Sequence, residues 1–347
     1  MVSPLSRLAR GVAQPSRSPI EKGTTVLRSA LVAGCATALA AAGLLASAPA
    51  GASEIAPHHM NAHKAAAAAA AGNNLAYGGG NIVASPHVYI VYWGNQWGTS
   101  SVTNDPSGEV PLQSSFFQHL YGSGDTWSTS TTQYCQGVAV GTTQCNGAGT
   151  PVGHASSNML GGTWLDSSAK TPSRPSSSAI AAEAKKAAAH FGISGDNVQV
   201  VVDLPHGVSP SGFKTQWCAW HDHTTTSSGA DLPFTNLPYQ SDAGASCGAN
   251  FVATGSSGVN GATEGVTIVG GHEYAETVSD PAPSSGWVDS SGAENGDKCA
   301  WISSGQGASS IVSLNGANFA VQSLWSNNFN GGAGGCVISY TSASNQH

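Results

Sequence analysis

Carboxylates without a basic partner crowd the stretch from Glu264 to Asp297, and this constrains the fold more than any other feature of the sequence. The stretch contains no Lys or Arg, and its seven acidic residues are Glu264, Glu273, Glu276, Asp280, Asp289, Glu294 and Asp297. Carboxylates so close together repel one another unless solvent, protonation or a cation relieves them. The fold must disperse them or gather them around positive charge, and a nearby His indicates a metal ion.

The sequence HEYAE at 272–276 gives this hypothesis a chemical form. On a helix, His272 and Glu276 share a face, whereas Glu273 is rotated from it by about 100°. In the H-E-x-x-H metallopeptidases, the Glu at this offset reaches the metal-bound water as general base. Here Glu276 stands where the second His is expected. A carboxylate can bind zinc, but it makes the site harder and strengthens the case for calcium or manganese.

A catalytic zinc needs a third protein ligand and an open position for water. We expect Glu294 first and Asp297 second, because a loop beyond the helix approaches from another direction. Asp280 follows His272 by eight residues and is the third candidate. His221 or His223, expected in a loop pinned by Cys218, could instead supply an outer ligand or an oxyanion donor. Alternatively, the motif is an ordinary helical pair and the acids are solvated or bind structural calcium.

The chain of 347 residues begins with features of export. A basic leader, a short apolar segment and small residues up to Ala52 predict a signal peptide over residues 1–52. A lipoprotein-like box ending at Cys35 is the less favoured interpretation. Residues 53–80 are Ala-rich, which predicts a linker or propeptide with solvated histidines at 58, 59 and 63. Residues 81–347 are expected to form a single secreted globular domain.

Charge and cysteine content restrict the partners. Without residues 1–51 the chain has 7 Lys and Arg against 18 Asp and Glu, and 7 minus 18 gives −11. Such a chain is a poor ligand for nucleic acid or anionic membrane. Its six remaining cysteines predict disulfides, and we expect sequential pairs among the fifteen possible connectivities: 135–145, 218–247 and 299–336. We expect a monomer without a membrane span, with extracellular protein, peptide or cell-wall polysaccharide as partner.

The pattern of elements predicts an α+β fold. It combines a mixed sheet, a backing helix, a short zincin-like motif helix, a β-rich C-terminal part and disulfide-stapled loops. Expected helices cover 114–121, 179–191 and 273–278. Expected strands cover 87–93, 198–204, 266–269, 299–302, 311–314, 319–325 and 336–340.

Four blocks in the C-terminal third also resemble known families: GHEYAETVSDP, GW-x-D, ENGDKCAW and FAVQSLWSN. They are similar to an actinobacterial group of secreted proteins without assigned activity. They resemble more distantly the plant EXORDIUM (phosphate-induced) family, in which a SHEL-x-E block, an E-I-G-D-x-C turn and a V-Q-x-x-W strand follow in this order. The resemblance implies an extracellular location and places motif positions at His272, Glu273, Glu276, Glu294, Asp297 and Cys299. Asp280-Pro281 departs from the family's Asn-Pro, so the resemblance gives Asp280 no ligand role.

Two functions follow from these observations. The first is a secreted zinc-dependent hydrolase, most simply a peptidase, in which Glu273 activates water on a metal held by His272 and Glu276. Catalytic roles then fall to Glu273 and His221, and the metal ligands come from His272, Glu276, Glu294, Asp297 and Asp280. The second is a non-catalytic EXORDIUM-like binding protein of the cell wall or extracellular space with a structural metal site.

Overall fold

A six-stranded mixed sheet is the central element of the fold. The computed structural model describes residues 58–62, 73–156, 158–252, 258–343 and 345–346, which all belong to one unit, Ser53–His347. The expected signal peptide lies outside the described residues, as do residues 53–57 and 63–72 of the expected linker.

Four neighbouring strands of the sheet are parallel, and two antiparallel strands extend one edge. The strands are β1 His58–Asn61, β2 His87–Trp93, β3 Leu160–Asp166, β4 Val198–Asp203, β5 Trp217–Thr225 and β6 Asp231–Leu237. Their spatial order is β1-β5-β6-β4-β2-β3, in which β5 runs antiparallel to both of its neighbours, β6 and β1. The predicted strands at 87–93 and 198–204 and their parallel pairing are confirmed, with Tyr89 opposite Val200.

Two of the helices lie close to the positions that the sequence predicts. Helix α1 spans Glu109–His119 and helix α2 spans Ser177–Phe191. In α2 the Ser176 hydroxyl accepts a hydrogen bond from the Ala179 amide, as expected for an N-cap. Helix α1 starts five residues before the predicted position, because the Asp105 carboxylate accepts the amides of residues 108, 109 and 110.

The motif helix differs most from its prediction. Helix α3 spans Glu264–Ser279, so the strand expected at 266–269 is wrong and the motif helix is not short. Every residue of α3 is buried. An apolar run without polar alternation cannot distinguish a buried strand from a buried helix. A glycine suits position 271 of this helix because two rings pack closely there. A Cβ at this position would lie 3.0 Å from Trp127 Cη2 and 3.2 Å from Phe116 Cζ.

Small sheets surround the central one. The C-terminal strands are β7 Ser310–Leu314, β8 Ala317–Val321, β9 Leu324–Ser326, β10 Gly335–Val337, β11 Tyr340–Ser342 and β12 Asn345–Gln346. They form three antiparallel pairs, and two-residue strands form two further pairs, 76–77 with 287–288 and 135–136 with 150–151. Residues 329–332 form a helical turn. The strand expected at 299–302 is wrong, because residues 297–299 form a 3-10 turn.

Three disulfides fix the loops, and their pairing agrees with the sequential prediction. Cys135 bonds Cys145, Cys218 bonds Cys247 and Cys299 bonds Cys336. The mixed α and β content, the mixed sheet and the stapled loops of the predicted fold class are thereby confirmed. The last disulfide ties the turn at 297–299 to β10 and so positions a loop beside α3.

Candidate metal centre

Four separate parts of the chain deliver side chains to one buried cluster. Helix α3 contributes His272, Glu273 and Glu276, and the loop after it contributes Glu294 and Asp297. Strand β5 contributes His221 and β1 contributes His58. We call these seven residues the acid–histidine cluster. The five from α3, β5 and position 294 are 0% exposed, so the loss of solvent contact is complete for them.

Three overlapping groups in this cluster have the spacing of metal ligands, with one ligand atom per residue and all atoms within 4.8 Å of one another. The groups are His272 with Glu276 and Asp297; His221 with Glu273 and Glu276; and His58 with Glu276 and Glu294. Glu276 belongs to all three. Its Oε1 lies 3.1 Å from His272 Nε2, and its Oε2 lies 3.6 Å from His221 Nδ1.

Hydrogen bonds orient His272 for coordination. Its Nδ1 donates to Gln322 Oε1 at 3.1 Å, because Gln322 Nε2 itself donates to the Gly296 and Ser323 carbonyls. Neutral His272 therefore presents the lone pair of Nε2 to Glu276 Oε1. Two acceptors at this distance need a proton or a cation between them. Two ligands that each lie about 2.1 Å from a tetrahedral zinc are roughly 3.4 Å apart, which fits the observed spacing.

The loop acids are held against α3 by backbone contacts. Asn295 Nδ2 donates to the Ala275 carbonyl at 2.7 Å, and the Asp297 amide donates to Glu276 Oε1 at 2.9 Å. These bonds fix the distance between the loop and the helix. The Asp297 amide also partners Glu276 Oε1, the oxygen that faces His272, whereas Glu276 Oε2 faces His221.

Several buried polar atoms of the cluster have no hydrogen-bond partner among the residues that the structure describes. They are His221 Nε2, His272 Nε2, Glu273 Oε1, Glu276 Oε2 and both carboxylate oxygens of Glu294. A buried polar atom without a partner costs about 1–3 kcal/mol. A cation or a shared proton among these atoms would lower that cost, and the set of imidazole and carboxylate donors fits a cation.

Burial and neighbouring charges shift the pKa values of the cluster residues, and not all in one direction. Burial, with the charge of Glu276 next, raises the pKa of Glu273 well above its ordinary value, and the same two causes raise the pKa of Glu294. Burial lowers the pKa of His221 well below its usual value, which keeps the imidazole neutral and able to bind a metal. A bound cation would oppose the shifts of the acids, because it favours their ionised form.

Most residues singled out from the sequence meet in this cluster. His272, Glu273, Glu276, Glu294, Asp297 and His221 all belong to it. Asp280 belongs to none of the three groups. Its carboxylate instead accepts the amides of residues 284, 285 and 286 and so closes the turn after α3.

His221 lies between the acids of the helix and those of the loop. Its Nδ1 is 3.3 Å from Glu273 Oε2, and its Nε2 is 3.5 Å from Glu294 Oε2. The residue therefore contacts the expected general base directly, as a role in catalysis or as an outer ligand requires.

Sequence reasoning missed two members of the site. His58 was expected to be solvated, but its Nε2 lies 2.5 Å from Asp297 Oδ2 and 3.7 Å from Glu294 Oε2. Burial lowers the pKa of His58, but the charge of Glu276 and the bond to Asp297 outweigh it and raise the pKa to about 9. Gln322, which orients His272, was also overlooked. The resembling block FAVQSLWSN was the one signal that contained it.

Comparison of the chain with protein-family models, curated proteins and solved structures finds no match. The three disulfides are compatible with an extracellular protein. Among the described residues, no helix is both long and apolar enough to cross a membrane.

Proposed function

We propose that this chain is a secreted metal-dependent hydrolase whose metal is held by the acid–histidine cluster. The observation that carries the proposal is the set of buried, unpartnered ligand atoms around Glu276 beside a second carboxylate, Glu273. A structural ion alone would not require Glu273 next to it. The export signal, the zincin-like arrangement and the EXORDIUM-like blocks belong to this proposal as expectations from the sequence.

His272, Glu276 and Asp297 would hold the metal. Asp297 is preferred to Glu294 as the third ligand, the reverse of the order expected from the sequence, because Asp297 Oδ1 lies 3.9 Å from His272 Nε2. Glu294 instead shares its group with His58. Zinc suits this set better than calcium, since imidazole nitrogen favours zinc and calcium takes oxygen ligands.

Glu273 provides the base. A bound zinc lowers the pKa of water and polarises a carbonyl, which is the chemistry the ion supplies. Glu273 accepts a proton from the water, whose oxygen attacks the carbonyl carbon of the scissile bond. The carbon–nitrogen bond breaks, and the proton passes from Glu273 to the departing amine. His221, 3.3 Å from Glu273, orients the carboxylate.

Replacement of Glu273 by Gln tests the proposal. We expect Glu273→Gln to keep about one equivalent of zinc and to lose hydrolysis of peptide substrates by about 10²–10⁴-fold. Glu264→Gln is the matched control. Glu264 lies on the same helix, is also 0% exposed and belongs to none of the three ligand groups. Zinc-loaded wild-type protein that cleaves no protein or peptide, either intact or after proteolytic removal of residues 53–64, refutes the catalytic part.

A non-catalytic extracellular or cell-wall-binding function is the second candidate. The complete burial of five cluster residues favours it, because structural metal sites are closed to water whereas catalytic sites keep an open position. On this account a chelator lowers the melting temperature, and Glu273→Gln leaves binding to the wall polymer unchanged. Hydrolysis that depends on Glu273 excludes this candidate.

A further inference from the structure

Strand β1 is an addition to the sheet rather than part of its interior. It pairs with β5 alone, with His58 opposite His221 and Met60 opposite Ala219. Without β1, β5 would still pair with β6 along residues 220–225. The edge of β5 would then offer its backbone groups to another extended chain, which is a common mode of peptide binding.

The side chains of β1 are received on both faces of the sheet, as those of a bound peptide would be. Met60 is 0% exposed, and its backbone amide faces the Glu273 carboxylate. The adjacent His59 points to the other face, where its ring lies 5.6 Å from Trp217 and 6.3 Å from Trp220. A cavity of about 240 Å³ there is lined by His59, both Trp residues, Pro175, Ile180 and Pro210.

His58 closes the metal centre. Its Nε2 approaches Asp297 and Glu294 and belongs to the ligand group with Glu276. His58 thus covers two carboxylates of the candidate site, where it would restrict the access of water or substrate to a bound ion. The arrangement accounts for the burial of a site that a catalytic function requires to be open.

We propose that the edge of β5 is the binding site for an extended peptide substrate, and that residues 58–62 of the chain itself occupy it and mask the metal centre. The proposal rests on the hydrolase function above. It adds the substrate class, an extended peptide, and a preference for an aromatic or imidazole side chain next to the residue at the metal. The segment follows Pro57 and precedes an Ala-rich stretch, which the sequence predicts to be a linker or propeptide.

The test uses the exported chain, residues 53–347, with residues 65–71 replaced by the recognition sequence of a site-specific protease. The chain folds intact and is then cut. A labelled peptide of residues 53–64 is the probe, and its binding is followed by fluorescence anisotropy before and after cutting. Peptide variants carrying His58→Ala and Asn61→Ala separate the metal-directed side chain from the exposed one on the same strand.

We expect the cut protein to keep its melting transition, to release the segment on dilution and to bind the probe at least about tenfold more tightly than the uncut protein. The His58→Ala peptide should bind more weakly than the Asn61→Ala peptide. Peptide hydrolysis should rise with probe binding. Binding without hydrolysis supports this site while refuting the proposed catalysis. Unfolding on cutting, a segment that does not dissociate, or no gain in probe binding overturns the inference.

Discussion

Gln322 gives a sensitive test of the proposed metal centre, because it contacts the proposed ligand His272 and belongs to none of the three candidate ligand groups. Its Oε1 accepts from His272 Nδ1, and its Nε2 donates to the Gly296 and Ser323 carbonyls. Leucine has a similar volume and none of these groups. Gln322→Leu therefore leaves His272 free to adopt the other tautomer and deprives two carbonyls of this donor.

The expected loss has two parts. Unpartnered buried groups cost about 1–3 kcal/mol each, so the free energy of unfolding should fall by a few kcal/mol in the metal-free protein. Loss of a partner that orients a metal-binding His costs about 10–100-fold in metal affinity. This corresponds to about 1.4–2.8 kcal/mol of binding free energy.

Zinc affinity is measured by competition with a chromophoric chelator, and stability by urea unfolding in the presence of a strong chelator. Gln240→Leu is the matched control: Gln240 is 2% exposed, and its amide also donates to two carbonyls, those of Cys218 and Pro238. It should lose stability but keep zinc affinity. Equal zinc affinity in Gln322→Leu and wild type, or equal loss in both variants, refutes the reasoning.

Three further predictions concern packing and charge. Gly296→Ala should lower zinc affinity by at least about tenfold, because its Cβ would lie 2.7 Å from His272 Nδ1. At Asp289 burial raises the pKa, but bonds from the Ser291 hydroxyl and Lys298 outweigh it and lower the pKa from 3.8 to about 2. The ionised Asp289 carboxylate stabilises the folded protein fully above its ordinary pKa, and this contribution is lost as pH falls toward 2. Asp289→Asn should therefore lower the free energy of unfolding by about 1–2 kcal/mol at neutral pH and flatten the acid limb of a pH–stability curve. Burial and then Asp166 raise the pKa of Glu183 from 4.5 to about 8, so its contribution to stability falls as pH rises across this range. Glu183→Gln should stabilise the protein by about 2 kcal/mol in pH 8 thermal melts.

Each of these three predictions has a control variant or a result that would contradict it. Gly270→Ala is the control for Gly296, since its Cβ would be 3.7 Å from the nearest atom, Leu237 Cδ2, and it should keep zinc affinity. Asp196→Asn, at a carboxylate that accepts an exposed hydrogen bond from Asn81, should leave the acid limb steep. A Glu183→Gln protein that is less stable than wild type at pH 8 would show that the raised pKa is misassigned.

Local signals in the sequence predicted the local parts of the fold. The run HVYIVYW is β-branched and aromatic and forms β2 with the expected bounds. Ser176 and the Ala-rich run after it predicted α2 correctly apart from its start at Ser177. The cysteines paired with their sequence neighbours, as short loops favour.

The failures have physical reasons. Residues 266–269 lie in a helix that is buried all round, and a short, mostly apolar run such as VTIV carries no periodicity that separates helix from strand. His58 meets Asp297 across 239 positions of sequence, and its own segment is Ala-rich and lacks the apolar bulk that marks a strand. The strand forms because residues 58–61 pair with β5, although their own composition does not favour a strand. The helical motif itself was readable, since its spacing alone places His272 and Glu276 together.

The most direct measurement is anomalous X-ray scattering at the zinc edge from a crystal of residues 53–347 purified without chelator. The account predicts one strong peak about 2.0–2.2 Å from His272 Nε2 and from an oxygen of Glu276, with an Asp297 oxygen as third ligand. A crystal with no ion in the acid–histidine cluster, in which protons and water satisfy the same buried atoms, would contradict it.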